Sequence, residues 1–340
     1  MPNAVTRTAL KRSAARLASV LILVLALAAS VTPADANQKG RLSLIGVLAT
    51  SADIRTTEAF REGLQHLGYV EGGNVIVEYR FNEGRVDRLP GLASELIGLN
   101  PDVIVAVGAV HAQALKAATT RIPIVFAINP DAVEVGLVED NARPGANLTG
   151  FTAVDPDEYV KQLALLKEML PGLTRVAFFA DLDIAESVRG GEFPIGQKEA
   201  GAVGLELQGV GLRASGLDLD AAFAGAKSAN AEALLVLQQP VTGLNRQAIA
   251  ERALTERLPA LFWADAADDV WLATYGSSLA AAAFRTSSYV DRILKGEQAG
   301  ELPVISAASE TLTINLITAR QLGLAIPAEV LVRADRVIGS

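Results

Sequence analysis

Two histidines, no cysteine and a set of polar residues placed just after apolar runs are what this 340-residue chain offers for chemistry. His111 stands in "VGAVHAQALK", beyond the apolar run 102–107. A catalytic histidine needs a nucleophile to deprotonate and a third group to orient it. The chain has no thiol, no Gly-x-Ser-x-Gly elbow, no P-loop and no His-Glu-x-x-His pair. A metal centre needs a further ligand beside His111, and His66 lies in "GLQHLGYV" at the end of a different helix. His111 is therefore a bystander or a hydrogen-bonding residue at the rim of a site. No catalytic residue, no metal site and no cofactor are expected.

The residues better placed for chemistry follow the apolar runs directly. Thr50, Ser51 and Asp53 follow "LSLIGVLA", Gly108, Ala109 and Val110 follow "DVIVAV", and Asn129 and Asp131 follow "PIVFAI". In the second half Asp181 and Asp183 follow "RVAFFA", Gln238 and Gln239 close "ALLVLQQ", Trp263 and Asp265 close "LPALFWAD", and Tyr275 begins a later segment. A helix starting at such a point has N–H groups with no intrahelical partner, and its dipole favours an anion. Thr50 and Ser51 bring hydroxyls for a ligand or for helix capping. Gly108 allows close approach to the backbone. Asp131 either holds an ammonium group in a partly buried place or closes an Asx turn in its own loop. Trp263 either stacks on a planar ligand or packs in a core. Together these are the means to bind a small molecule rather than to transform it.

Elements that put all these residues on one side are written in the hydrophobic pattern. Strands are expected at 42–48, 74–81, 102–107 and 123–128, with helices at 57–67, 89–99 and 112–118 between them. The runs at 102 and 123 are continuously apolar rather than alternating, as in parallel strands covered on both faces. The pattern restarts with strands at 175–180, 205–212, 233–238 and 258–263 and helices at 183–203, 217–228 and 244–256. Repeated βα units build a doubly wound parallel sheet, and here they build two. Crossings between the two lobes are expected in "NARPGANLTGFT" (141–152), "TYGSSL" (274–279) and "ELPVISAA" (301–308). The fold class is α/β, with two parallel-sheet lobes joined by a three-crossing hinge. Lobe one takes 37–150 plus 279–305 and lobe two 151–278 plus 306–340. That plan is the type I periplasmic binding fold, in which the ligand lies between the lobes.

The first 36 residues read as an export signal. Arg7, Lys11, Arg12 and Arg16 precede the apolar stretch 17–29, and the small-x-small triplet Ala34-Asp35-Ala36 follows. That order marks a cleaved secretory peptide, and about 13 apolar residues fall short of the roughly 20 that span a bilayer. Cleavage is expected after Ala36, with the mature chain periplasmic and not inserted in the membrane. The removed stretch carries four positive charges and one negative, so the net charge moves from −8 to −11. An exported chain this acidic is a poor partner for nucleic acid. Without cysteine it is held by its core alone, which a half-apolar composition can supply.

Longer stretches carry a family resemblance: "GYVEGGNVIVEYR" (68–80), "RLPGLASELIGLNPDVIVAVG" (88–108), "AATTRIPIVFAINPDAVEVGLVEDNARPGANLTG" (117–150), "RILKGEQAGELPV" (292–304) and "LTINLITARQLGLAIPAEVLVRADRVI" (312–338). They resemble the exported substrate-binding proteins of ABC transporters, in the family that includes tryptophan- and tyrosine-type binders. The resemblance implies a monomeric receptor with a small-molecule ligand, an amino acid or related small carboxylate, and an ABC permease as partner. Two positions depart from the family pattern, Asp131-Ala132 where Asp-Pro is common and Asp181-Leu182 where Asn-Pro is common. An alternative from a different class is a secreted α/β hydrolytic enzyme using cleft carboxylates such as Asp181 and Asp183. A regulator's effector domain shares the fold, but it would carry a helix-turn-helix where this chain has its signal.

Overall fold

The computed structural model describes residues 42–52, 55–153, 157–189, 196–264 and 270–339. The expected signal, Asp53 and Asp265 lie outside the described residues. The chain begins β1 (Ser43–Ala49), α1 (Arg55–His66), β2 (Val75–Phe81), α2 (Leu89–Gly98), β3 (Val103–Val107), α3 (Ala109–Ala118), β4 (Ile124–Ile128) and β5 (Leu148–Thr152). It continues α4 (Glu158–Met169), β6 (Arg175–Asp181), α5 (Leu182–Arg189), α6 (Gln197–Ala202), β7 (Glu206–Leu212), α7 (Leu219–Ser228), β8 (Ala233–Val236), α8 (Pro240–Leu244), α9 (Arg246–Thr255), β9 (Ala260–Phe262) and β10 (Ala273–Ser277). It ends α10 (Leu279–Leu294), β11 (Ile305–Ser306), β12 (Glu310–Asn315), α11 (Leu316–Leu322), α12 (Ala328–Leu331) and β13 (Arg336–Ile338).

Two sheets result, in the orders β11-β5-β4-β3-β1-β2 and β13-β12-β10-β9-β8-β6-β7. Every pairing is parallel except β10 with β12. The central strands β1, β3, β4, β6, β8 and β9 are largely apolar on both sides because both faces are covered. Val103, Val105 and Val107 of β3 point into one cluster with Phe60 and Leu64 of α1 and Leu279, Val290 and Ile293 of α10. The alternate residues Ile104 and Ala106 point into another, with Leu92 and Leu96 of α2 and Leu115 of α3. The second sheet repeats the arrangement: Val176 and Phe178 face α4, and Ala177 and Phe179 face α7 and α9. Each fully buried Val, Leu or Phe contributes about 1.5–3 kcal/mol, so the period of two, not any single contact, holds both layers.

Three crossings join the sheets. The first connects β5 to α4; the second is at Ser278, between β10 and α10; the third spans 307–309, between β11 and β12. The stretch 141–152 is therefore not itself the crossing, since Leu148–Thr152 is a strand paired along its length with β4. Its Asn, Gly and Thr content reads as a turn, yet each has a buried role. Asn147 Nδ2 donates to the Ile122 carbonyl at 2.7 Å, and the Thr149 hydroxyl donates to the Leu302 carbonyl at 2.7 Å. Gly150 is required by sterics, because a Cβ there would run into the carbonyl and ring of Phe126. The helix expected over 183–203 is two helices, α5 and α6, and that over 244–256 starts earlier as the short α8 before α9.

Candidate ligand-binding cleft

In both sheets the parallel strands end on one side, and ligands of open α/β sheets bind outside such carboxyl ends. In the first sheet those ends carry Thr50 and Ser51, Asn82, Gly108 and Asn129. In the second they carry Asp181, Gln238 and Gln239, Trp263 and Ser277. The loops beyond them meet across the gap, with Gly84 after β2 lying against Leu244 and Ala214 of the other body. The structure thus sets most of the sequence-predicted residues at or just beyond the carboxyl ends of the strands. A separate groove at the opposite end of the second sheet is lined by Arg175, Gln197 and Glu206, and Arg175 there is already paired with Glu232.

The start of α3 stands at the carboxyl end of β3. Gly108 is its N-cap at φ +114°, ψ +149°, and no side chain caps the helix. That backbone conformation is essentially glycine's alone, and a Cβ would stand 2.7 Å from His111 Nδ1. Gly108, Ala109 and Asn129 are half-buried, and Thr50 nearly buried, so polar groups and backbone line the first wall. Asn129 Oδ1 is buried with no partner among the described residues. Ser51 accepts the Thr57 hydroxyl on its carbonyl at 2.9 Å, and Thr50 accepts the Glu83 N–H on its carbonyl at 3.0 Å, so both loops are pinned by their backbones.

His111 is not at the rim. It is 1 % exposed, and its Nε2 lies 3.1 Å from Oδ1 of Asn82, itself fully buried. Burial pulls the imidazole pKa down to about 4 against a smaller upward pull from the Ala49 carbonyl, so the ring is neutral at pH 7. A neutral ring donates Nε2–H to the amide oxygen, bracing the end of β2 against α3. Asn82, the first residue after β2, was not singled out from the sequence. No clear signal marked it, since β2 itself carries Glu78 and Arg80 and Glu83 follows directly. His66 is exposed at the end of α1, its ring 6.1 Å from that of Phe284.

Asp131 is committed to its own loop. Oδ1 accepts the Val133 and Glu134 N–H groups at 2.8 and 3.1 Å, and Oδ2 accepts Asn141 Nδ2 at 3.0 Å. Asp181, fully buried, accepts Asp183 N–H and Ile184 N–H on Oδ1 and Val241 N–H on Oδ2. It therefore fixes the starts of α5 and α8 together. Burial outweighs those three donors and pushes its pKa up to about 6. Asp183 is ion-paired with Arg213, which also forks onto Glu186. Gln239 Oε1 accepts the Asp181 N–H at 2.6 Å, whereas Gln238 Oε1 is buried without a partner among the described residues.

Trp263 is 4 % exposed within the cluster of Phe179, Phe223, Phe262 and Trp271, so most of its ring is core; its Nε1 has no partner among the described residues. Tyr275 turns to the outside, its hydroxyl donating to Glu310 at 2.6 Å, where Lys161 also binds. At the second crossing Glu158, 3 % exposed, accepts the Ser277 N–H at 2.9 Å, and Gln162 Nε2 donates to the Tyr275 carbonyl at 2.9 Å. Neither contact was foreseeable, since 119 and 113 residues separate the partners. Among the described residues no group of three or more His, Asp or Glu could hold a metal, and no helix is long and apolar enough to cross a membrane.

Comparison with known proteins fits this architecture. A solved conserved domain protein of Vibrio cholerae is 27 % identical, with a TM-score of 0.78 over 87 % of this chain and 100 % of that one. An ABC domain in complex with L-Trp from Streptococcus pneumonia is 20 % identical, with a TM-score of 0.74 over 88 % of this chain and 100 % of that one. A leucine binding protein of Thermotoga maritima, 16 % identical over 80 % of this chain and 95 % of that one, has a TM-score of 0.55. A tyrosine-binding protein of Clostridioides difficile is 28 % identical over 125 residues, which is 36 % of this chain and only 35 % of that protein's length. These likenesses place the two sheets and three crossings in the type I periplasmic binding fold. Residues 43–338 match the ABC transporter substrate binding proteins, a family of binders rather than enzymes, and this chain belongs to that family.

Proposed function

We propose that the protein is an extracytoplasmic receptor that closes two bodies around a small ligand and delivers it to the permease of an ABC importer. The observation that carries this reading is a pair of sheets joined by three crossings whose rims meet where the Gly84 turn lies beside Leu244 and Ala214, with Gly108 starting α3 at the carboxyl end of β3. The moving bodies are the two sheets with their helices, hinged at the connection from β5 to α4, at Ser278 and at 307–309, and hinges of this kind absorb closure in a few residues. The mature protein acts as a monomer, exported by residues 1–36 with cleavage after Ala36.

The ligand is an amino acid, an aromatic one first, or a related small carboxylate. The tyrosine- and L-Trp-binding relatives support that class, and so does the α3 amino terminus, since the start of a helix and the positive end of its dipole favour a carboxylate. Thr50, Ser51, Gly108, Ala109 and Asn129 form one wall, and Gln238 and the edge of Trp263 the other. Asp131, Asp181, Asp183, Gln239 and Tyr275 act as framework, because the structure binds each of them to protein groups.

Thermal unfolding of the exported protein against amino acids and aromatic carboxylates tests this. A true ligand at 100 times its Kd adds about 2.7 kcal/mol. A flat response across amino acids with a response to a nucleoside or sugar would overturn the ligand class, and no response to any metabolite would overturn the receptor.

A further inference from the structure

The cleft has a mouth, and the two bodies touch there. The crossings connect the β5 and β11 side of one sheet to the β10 and β12 side of the other, so β2 and β7 are the edges farthest from the hinge. The turn after β2 holds Glu83 and Gly84 at φ +50° and +75°. A Cβ on Gly84 would lie 3.1 Å from Leu244 Cδ1 and 3.4 Å from Ala214 Cβ. Ala214 follows β7 and Leu244 ends α8, so both belong to the opposite body. Beside this contact, Ile184 in the first turn of α5 packs against the first-sheet cluster that contains Val110 and Leu115 of α3.

Each half of the contact is held from behind. Asp181 accepts the N–H of Ile184 and of Val241, so one buried carboxylate sets both α5 and α8, the two helices that bring Ile184 and Leu244 to the mouth. On the facing rim the turn is pinned by Asn82 N–H to the Ala49 carbonyl at 3.2 Å, by Glu83 N–H to the Thr50 carbonyl, and by the Asn82–His111 pair. A loose collision of two rims has no reason to be braced by buried hydrogen bonds on both sides.

We infer that Leu244, Ala214 and Ile184, meeting the Gly84 turn and α3, form an apolar latch that sets the closed fraction of the cleft. The inference rests on the proposed function only for what is enclosed. Because the latch joins protein to protein, it scales the affinity of every ligand by one factor, the intrinsic Kd divided by the closed fraction. The residues that choose the ligand and those that hold it shut are then different residues.

The test is Leu244→Asp, with Leu244→Met as the conservative control. Leu244 is 37 % exposed, so a charge there leaves the core intact. Small-angle scattering without ligand, and titration with L-tryptophan and with L-leucine as probes, are compared with the parent. The aspartate variant is expected to have a larger ligand-free radius of gyration and to lose affinity for both probes by the same factor, about 5- to 10-fold, as expected from losing part of one leucine's burial. The methionine variant is expected to match the parent. Superimposable scattering curves for parent and aspartate variant overturn the latch. So does a loss confined to one probe, which would make Leu244 a ligand contact. The scattering needs no ligand, so a wrong ligand class leaves it readable, and a failed latch leaves ligand-induced stabilisation untouched.

Discussion

His111 Nε2 and Asn82 Oδ1 stand 3.1 Å apart with both side chains buried, so the first turn of α3 is tied to the end of β2 across the intervening β1. The pair explains a histidine in the one place where a catalyst would be sought. Its ring acts as a neutral brace under the floor of the cleft.

His111→Ala leaves the Asn82 amide oxygen buried and unpaired, a loss of about 1–3 kcal/mol before any cavity is counted. His111→Gln, which keeps a donor, is expected to lose less. Urea unfolding of the two variants gives the order directly. Affinity lost at unchanged stability would move His111 into the site.

Acid stability carries two opposed contributions. The His111 pKa is lowered from 6.5 to about 4, so its stabilising contribution is complete above pH 6.5 and is lost as pH falls towards 4. The Asp181 pKa is raised from 3.8 to about 6, so its contribution is complete below pH 3.8 and is lost as pH rises through 6. Between about pH 4 and 6 the two slopes have opposite sign. The Asp181→Asn variant is therefore expected to lose stability on acidification more steeply than the parent, and His111→Gln less steeply. Denaturation midpoints at pH 4.5, 5.5 and 7 show this. Parallel pH profiles for parent and both variants would refute it.

The strands and their cover were legible because burial on both faces writes an unbroken Val/Ile/Phe run, as in 103–107 and 124–128, and the structure ends those strands within a residue of the pattern. The strand Leu148–Thr152 was masked by residues that signal turns when exposed and satisfy the backbone when buried. The site was legible as a set of positions, because strand ends are fixed by the fold, but not as roles. Asp131 followed by Ala132 reads alike whether its carboxylate meets a ligand or its own loop. Only the placement of Asn141 ten residues on decides what its second oxygen touches. The Asp181 carboxylate likewise looked free until Val241, sixty residues away, came beside it.

Asp131→Ala follows from that placement. It removes three acceptor contacts from the loop after β4, and a capping carboxylate of this kind is worth about 1 kcal/mol. Hydrogen exchange in 132–141 is expected to rise, with ligand affinity falling modestly because Asn129 shares the loop. A collapse in affinity with unchanged exchange would instead make Asp131 a direct ligand contact.

Gly108→Ala joins the histidine brace to the binding wall. The substitution forces an L residue into a conformation at φ +114° that costs about 1–3 kcal/mol, and it drives a methyl to 2.7 Å from His111 Nδ1. The first penalty belongs to the backbone and survives any change at 111, whereas the second vanishes once the ring is gone. In a double-mutant cycle Gly108→Ala should therefore be less damaging in a His111→Ala background than in the parent, by an interaction of about 0.5–3 kcal/mol, the range found for residues in contact. Denaturant unfolding of the four proteins measures it. Strict additivity would mean that the ring does not press on Gly108 and that glycine is kept there for the backbone alone, leaving its space open for a ligand to approach.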